Sequence, residues 1–284
     1  MRYIDRDQLI GNADVAPLIE RAEAARAEIL AEAEGAKRAA LVEKYRSKWV
    51  AFRPHFARLS HNKCWYTESV NPGTDDDVDH FRPKGEVAED TGHGGYWWEA
   101  LNWRNFRLSS HRANRPRTNP RTGETYGKAD HFPLLNEEER CRTPGDDLGR
   151  ERPALLDPTD PEDPPLLTFN VDGTVALSSE FAGDVNAEKR LESSRVYLHL
   201  EWPAFVEQRT ALYREIVGKI DVGERHEGRA RTGDVGSKEA LKATARELIS
   251  FTREDRPYSM AAKAYLSMYR HIPWVRRAVL PNCS

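Results

Sequence analysis

Apolar residues recur at three- and four-residue steps through the first fifty positions: Leu18, Ala22, Ala25 and Ile29, then Leu41, Tyr45, Trp49 and Phe52. That spacing lays one narrow apolar stripe along a helix. Residues 15–34 are also dominated by Ala, Glu, Arg, Leu and Ile, all good helix formers. Asp14 is placed to cap the start and Pro17 falls in the first turn. Gly35 weakens the run, and Pro54 is expected to end it. The stripe is predicted to pack on its own protein, with a docking face for a partner subunit as the alternative. From 61 to 90 the pattern changes to short strands and loops. Asn71-Pro72-Gly73 marks a turn, and the acidic run Asp75-Asp76-Asp77 reads as an exposed loop. Farther on, Thr168–Val171, Asp172-Gly173 and Thr174–Leu177 predict a hairpin with a two-residue turn. After Gly183 the chain reads as helices near 185–198, 203–220, 238–253 and 257–271, with a mobile glycine-bearing stretch at 222–237.

The expected architecture is a mainly α body of the α+β class with a small core inserted near its middle. The segments are an N-terminal helical part (1–60), the core (61–135), and a hairpin followed by a C-terminal helical region (136–284) that forms one unit with the core. Tyr96, Trp97, Trp98 and Trp103 are expected to pack in the interior rather than stack on bases.

Composition narrows the class. With 31% charged residues and no apolar run approaching the roughly 18 residues of a membrane span, the chain reads as a soluble protein without a membrane partner. The first residues, Met1-Arg2-Tyr3-Ile4-Asp5-Arg6, lack a secretion-type apolar region. Three widely spaced cysteines (Cys64, Cys141, Cys283) do not make a disulfide framework, so a cytoplasmic setting is expected. The net charge of −3 hides two basic stretches. Residues 36–63 carry eight Lys or Arg against one acid, Glu43, and residues 102–131 carry seven against two. Cations so placed are candidates for nucleic-acid phosphates.

Between the two stretches runs an ordered string: Asp79-His80, Trp103-Arg104-Asn105-Phe106 and His111-Arg112-Ala113-Asn114. An acid beside a histidine offers a hard oxygen ligand next to a group able to take a proton near neutral pH. Two downstream asparagines add neutral oxygens and amide donors. Together they suit a divalent ion holding a phosphodiester while an imidazole activates water. Oxygen ligands favour Mg²⁺ or Mn²⁺.

This string resembles the HNH nucleases, built on a ββα-metal (His-Me finger) core. The resemblance implies Asp79 and Asn114 as metal ligands, His80 as general base, and Asn105 as the residue that steadies the loop holding the base. It implies Arg117 as the basic residue after the third letter, and Trp103 and Leu108 as packing positions. Arg82, Lys84, Arg112, Arg115, Arg117 and Lys128 become candidate nucleic-acid contacts, with Glu68, His111 and His131 as possible accessories.

Lys63-Cys64-Trp65-Tyr66-Thr67-Glu68, Val78–Lys84, Lys128 with Phe132-Pro133-Leu134, and Leu155-Leu156-Asp157-Pro158 with Gly173 narrow the subfamily. Over roughly residues 61–200 they are similar to the HNH subunits of Septu-type anti-phage systems (PtuB-like), which also accompany some retrons. That implies nucleic acid as substrate, DNA favoured over RNA, and a separate ABC-type ATPase (PtuA-like) as partner. One departure is that family members carry two Cys-x-x-Cys pairs for a structural zinc. Here the positions are Cys64, Thr67, Ser110 and Ala113, so three of four thiolates are missing and no zinc is expected. No His-Glu-x-x-His, Walker-type loop or Gly-x-Ser-x-Gly is present. The alternative reading is a catalytically silent module that binds nucleic acid or assembles with the same complex.

Overall fold

The computed structural model describes residues 1–73, 76–120 and 123–283. The N-terminal part forms four helices, α1 (Ala16–Ala31), α2 (Gly35–Lys44), α3 (Arg46–Val50) and α4 (Arg53–Leu59). Strand β1 (Asp77–His80) then pairs antiparallel with β2 (Phe106–Ser109), in the register Asp77 opposite Ser109 and His80 opposite Phe106. Helix α5 (His111–Asn114) follows directly. Two small hairpins come next, β3 (Arg117–Thr118) with β4 (Thr125–Tyr126) and β5 (Leu167–Phe169) with β6 (Val175–Leu177). The C-terminal helices are α6 (Val185–Tyr197), α7 (Pro203–Arg231), α8 (Val235–Ser250), α9 (Ser259–Met268) and α10 (Pro273–Ala278). The class is α+β, with long helices around short antiparallel sheets.

Three apolar clusters organise the chain. One joins α1–α4 to residues 100–108: Ala22, Ala25 and Ile29 of the stripe are buried with Trp49, Phe52 and Phe56 against Trp103, Phe106 and Leu108. A second lies under the loop after β1, where Phe81, Tyr96 and Trp98 meet Phe132 and Leu155. The third holds the C-terminal helices with Cys64, Tyr66 and Ala113. Tyr96, Trp98 and Trp103 are buried as expected, and Arg38 covers Trp97 at 3.9 Å.

The α1 stripe packs on its own core as predicted, which removes the alternative of a docking face. Other local expectations are corrected. Pro54 does not end the helical region. It sits in the first turn of α4, where a missing N–H costs nothing. Helix α1 starts with Val15 at its N-cap and no side-chain cap, so Asp14 falls one residue before the capping position. The β5–β6 turn is a three-residue loop, since Asn170 and Thr174 still bond across it and Gly173 takes the left-handed φ of +83°.

The largest correction is at 222–237. Helix α7 continues to Arg231, and Asp234 caps α8 through its Ser237 amide. The glycine that suggested flexibility allows a close approach instead. A Cβ at Gly223 would lie 2.2 Å from Cζ2 of the buried Trp274. Replacing a helical glycine with alanine ordinarily stabilises by up to about 1 kcal/mol. Gly223→Ala is expected to reverse that sign and cost about 1–3 kcal/mol through overpacking. Gly218→Ala, with no atom within 4 Å of the added Cβ, should stabilise. Urea midpoints of the two variants check the pair; a stabilised Gly223→Ala protein would contradict the packing.

Candidate functional site: a pocket on the first strand pair

In β1 successive side chains alternate faces, so Asp77 and Asp79 share one. Asp77, Asp79 and His80 line a cavity of about 440 Å³ together with Asn114 and Arg115 from α5 and its end. Lys84 and Arg46 complete the polar wall, and Trp49 and Val50 supply an apolar one. Ser110 caps α5 by accepting from the Ala113 amide, which aims Asn114 at β1.

His80 is held from three sides. Its Nε2 lies 2.9 Å from the Ala100 carbonyl. A carbonyl only accepts, so Nε2 carries the proton and Nδ1 keeps its lone pair. Trp49 and Phe106 each meet the imidazole edge-on at 5.1 Å. Burial, then the Lys84 and Lys128 charges, push its pKa down to about 3. The ring is therefore neutral at physiological pH.

Asp79 is buried and gripped from the protein side. The Tyr66 hydroxyl donates to Oδ2 at 2.7 Å and Lys128 Nζ to Oδ1 at 3.1 Å. Lys128 is fully buried and also donates to the His80 carbonyl at 2.6 Å. Burial in contact with Asp79 holds the Tyr66 hydroxyl well above its usual range, so it remains a donor. Asn105 is a clamp: its Oδ1 accepts from the Arg82 amide at 2.8 Å, and its Nδ2 donates to the Arg82 and Glu99 carbonyls. It ties the segment after β1 to the turn before β2 and so fixes where His80 stands.

Asp77 is a strand residue facing the pocket, not part of an exposed loop; Asp75 lies outside the described residues. It accepts from Arg115 through both carboxylate oxygens and from the Asn114 amide at 3.1 Å, and His111 Nε2 stands 3.1 Å away. Burial opposes its ionisation, but Arg115, Asn114 and His111 outweigh burial and hold the carboxyl below its ordinary value.

The other predicted residues divide. Arg112 and Arg117 are exposed, Arg112 lying 5.6 Å from the Trp202 ring. Arg82 is committed to Glu151 at 2.7 Å, and Lys128 is sealed from solvent, so neither presents a free cation. His131 pairs with Glu89 and stacks on Tyr197, off the pocket wall. Glu68 is buried beneath α9, accepting from Ser259 Oγ at 2.8 Å and from the Met260 amide. The basic stretches are likewise partly internal: Lys63 donates to the Glu254 and Arg256 carbonyls, and Arg107 is buried against Asp157, while Arg121 lies outside the described residues.

Tyr66, Asp77, Arg46 and Trp49 belong to the pocket or its support without having been assigned there. A period of two from Asp79 was the available signal for Asp77. Arg46 and Trp49 come from a segment some thirty residues earlier, and the string carries no trace of them.

Two groups in the pocket fit a hard divalent ion: Asp79 and the Asn114 amide oxygen are oxygen donors. Each Asp79 carboxylate oxygen accepts one hydrogen bond and retains a lone pair, whereas both oxygens of Asp77 are taken up by Arg115, Asn114 and His111. The four zinc-type positions do not fit zinc. Cys64 is a lone buried thiol pushed up by burial and then by Asp76. Thr67 pairs with Ser69, Ser110 is spent on its cap, and Ala113 is packed in the core.

No family model matches the chain. It is similar to the Septu protein PtuB of Bacillus mycoides (strain KBAB4), with 27% identity over 171 residues, 57% of this chain and 53% of that protein. The chain thus spans about half the length of the curated relative it matches.

Proposed function

Starting from a PtuB-like Septu relationship, we propose that this chain is a metal-dependent HNH endonuclease. Its substrate is the phosphodiester bond of nucleic acid, DNA favoured, and it serves as the nuclease of an anti-phage system beside a separate ABC-type ATPase. The observation that carries this reading is His80, a neutral imidazole with Nε2 tied to a backbone carbonyl, lining one cavity with Asp79 and Asn114. The arrangement of β1, β2 and α5 around that cavity agrees with a ββα core.

In this reading Asp79 and Asn114 would hold one Mg²⁺ or Mn²⁺, with Asp77 orienting the Asn114 amide. Such an ion supplies Lewis-acid stabilisation of the negative charge that develops on the phosphate. Nδ1 of His80 takes a proton from the attacking water, while the Ala100 carbonyl keeps the ring in the required tautomer. Asn105 positions His80 without touching substrate. A phosphate next to the ring favours its protonated form, which opposes the burial and lysine charges that hold its pKa down. Exposed Arg112 and Arg117, with Arg115 beside them paired to Asp77, extend a cationic surface for the backbone, which gives affinity with little sequence preference.

The purified chain with a PtuA-like ATPase is expected to cut plasmid DNA with Mg²⁺ or Mn²⁺, to stop with EDTA, and to recover when Mn²⁺ is restored. The Lys128 ammonium on Asp79 favours a second reading, a silent binding module, since it already neutralises one candidate ligand. Binding of nucleic acid without cleavage of DNA or RNA, with any divalent ion and with or without ATPase, would favour that module over the nuclease.

A further inference from the structure

Charge in the pocket is unevenly committed. Arg115 is held by Asp77 through two guanidinium hydrogen bonds, and Lys128 is sealed beneath Asp79. On the wall this leaves Lys84 and Arg46, with Asp130 at the rim. Among the described residues Arg46 pairs with Glu43, at 3.9 Å, and both side chains of that pair are about two-thirds exposed. An exposed pair of this kind holds little free energy and is easily exchanged.

Arg46 and Trp49 are three residues apart on α3, so they share a helix face. Trp49 is buried with its ring edge-on to His80, and Lys84 Nζ stands 5.5 Å from the same indole. Helix α3 thus carries both the indole that meets the imidazole and the Arg46 guanidinium that lines the same cavity. Packing of α3 on β1 makes this segment, outside the Asp-His-Asn-Asn string, a wall of the pocket.

We propose that Arg46 is a substrate-binding residue of this site, taking a backbone phosphate of the nucleic acid beside the bond addressed by His80. Trp49, three residues on, anchors the helix that carries it against His80. The inference rests on the nuclease reading for the identity of the substrate. A guanidinium can meet two phosphate oxygens at once, whereas Lys84 offers a point charge. The N-terminal helices are therefore part of the reaction site, not an appendage to it.

The test compares Arg46→Ala, Arg46→Lys and Glu43→Ala in the full chain, assayed with whichever ATPase and metal give wild-type cleavage. Arg46→Ala should raise KM about 10-fold with a smaller change in kcat. In binding titrations on a His80→Ala background, it should reduce the salt slope of log affinity by about 1. Arg46→Lys should keep the salt slope and recover only part of KM. Glu43→Ala should leave activity unchanged. Unaltered KM and salt slope in a folded Arg46→Ala protein would overturn the assignment while leaving the nuclease intact. A wild-type chain that binds but never cuts would overturn the nuclease, and the salt slope would still decide Arg46. A chain that binds no nucleic acid overturns both.

Discussion

His80→Ala should reduce cleavage by about 10²- to 10⁴-fold, the usual cost of losing a general base, while leaving the protein folded and able to bind nucleic acid. The size of the effect follows from the side chain's isolation. Nε2 is committed to the Ala100 carbonyl, and among the described residues no other histidine lines the pocket to take over the proton. His111 is the first residue of α5, but its Nε2 is engaged by Asp77. Trp49 and Phe106 make edge contacts that truncation loosens without exposing a charge. Binding should therefore survive and identify the defect as chemical. A folded, purified His80→Ala protein that cuts at the wild-type rate would remove His80 from the mechanism.

A second large effect is expected one strand away. Arg107 on β2 is buried and forms a two-pronged ion pair with Asp157, its Nε donating at 2.7 Å. Asp157→Asn leaves that guanidinium buried opposite a neutral amide. Removing one member of a buried pair typically costs about 3–5 kcal/mol. The loss should reach the site as well, because β2 pairs with β1 and Asp79 lies opposite Arg107. The pair also sets an acid limit on stability. Burial alone would raise the Asp157 carboxyl, but Arg107 more than offsets it and holds it at about 2, below the ordinary 3.8. The unfolded chain therefore binds the proton more readily. This contribution is complete above about pH 4 and is lost as pH falls through about 2. Denaturant melts of wild type and Asp157→Asn between pH 2 and 7 should converge at the acid end. Equal stability of the two at pH 7 would show that the pair contributes nothing.

How much was readable in advance depended on whether a residue's partner was local. Ser110 and Asn114 lie on one short helix, and the Asp79-His80 dipeptide lies on one strand, so the string located the pocket. Trp49 and Lys84 are far apart in sequence and meet only because α3 packs on β1, which no periodicity encodes. Chemical type alone also misled. Arg82 and Lys128 looked like phosphate contacts, yet Glu151 and Asp79 hold them inside. The same blindness to tertiary partners turned Gly223 into a sign of flexibility, when it is the flat place where Trp274 rests.

The pin between Glu68 and Ser259 joins residues 191 positions apart. Lys63 reaches equally far, to the carbonyls of Glu254 and Arg256. Both anchor the short segment that carries Tyr66, and Tyr66 holds Asp79. During synthesis, the residues of the string all leave the ribosome long before α9 does. Until the C-terminal helices emerge and dock, the tyrosine segment keeps only its nearer bonds, such as Trp65 to the Leu108 carbonyl, and Glu68 and Lys63 lack their distant partners. A nascent chain on the ribosome, surrounded by RNA, thus holds every residue of the string but lacks the last support of its pocket.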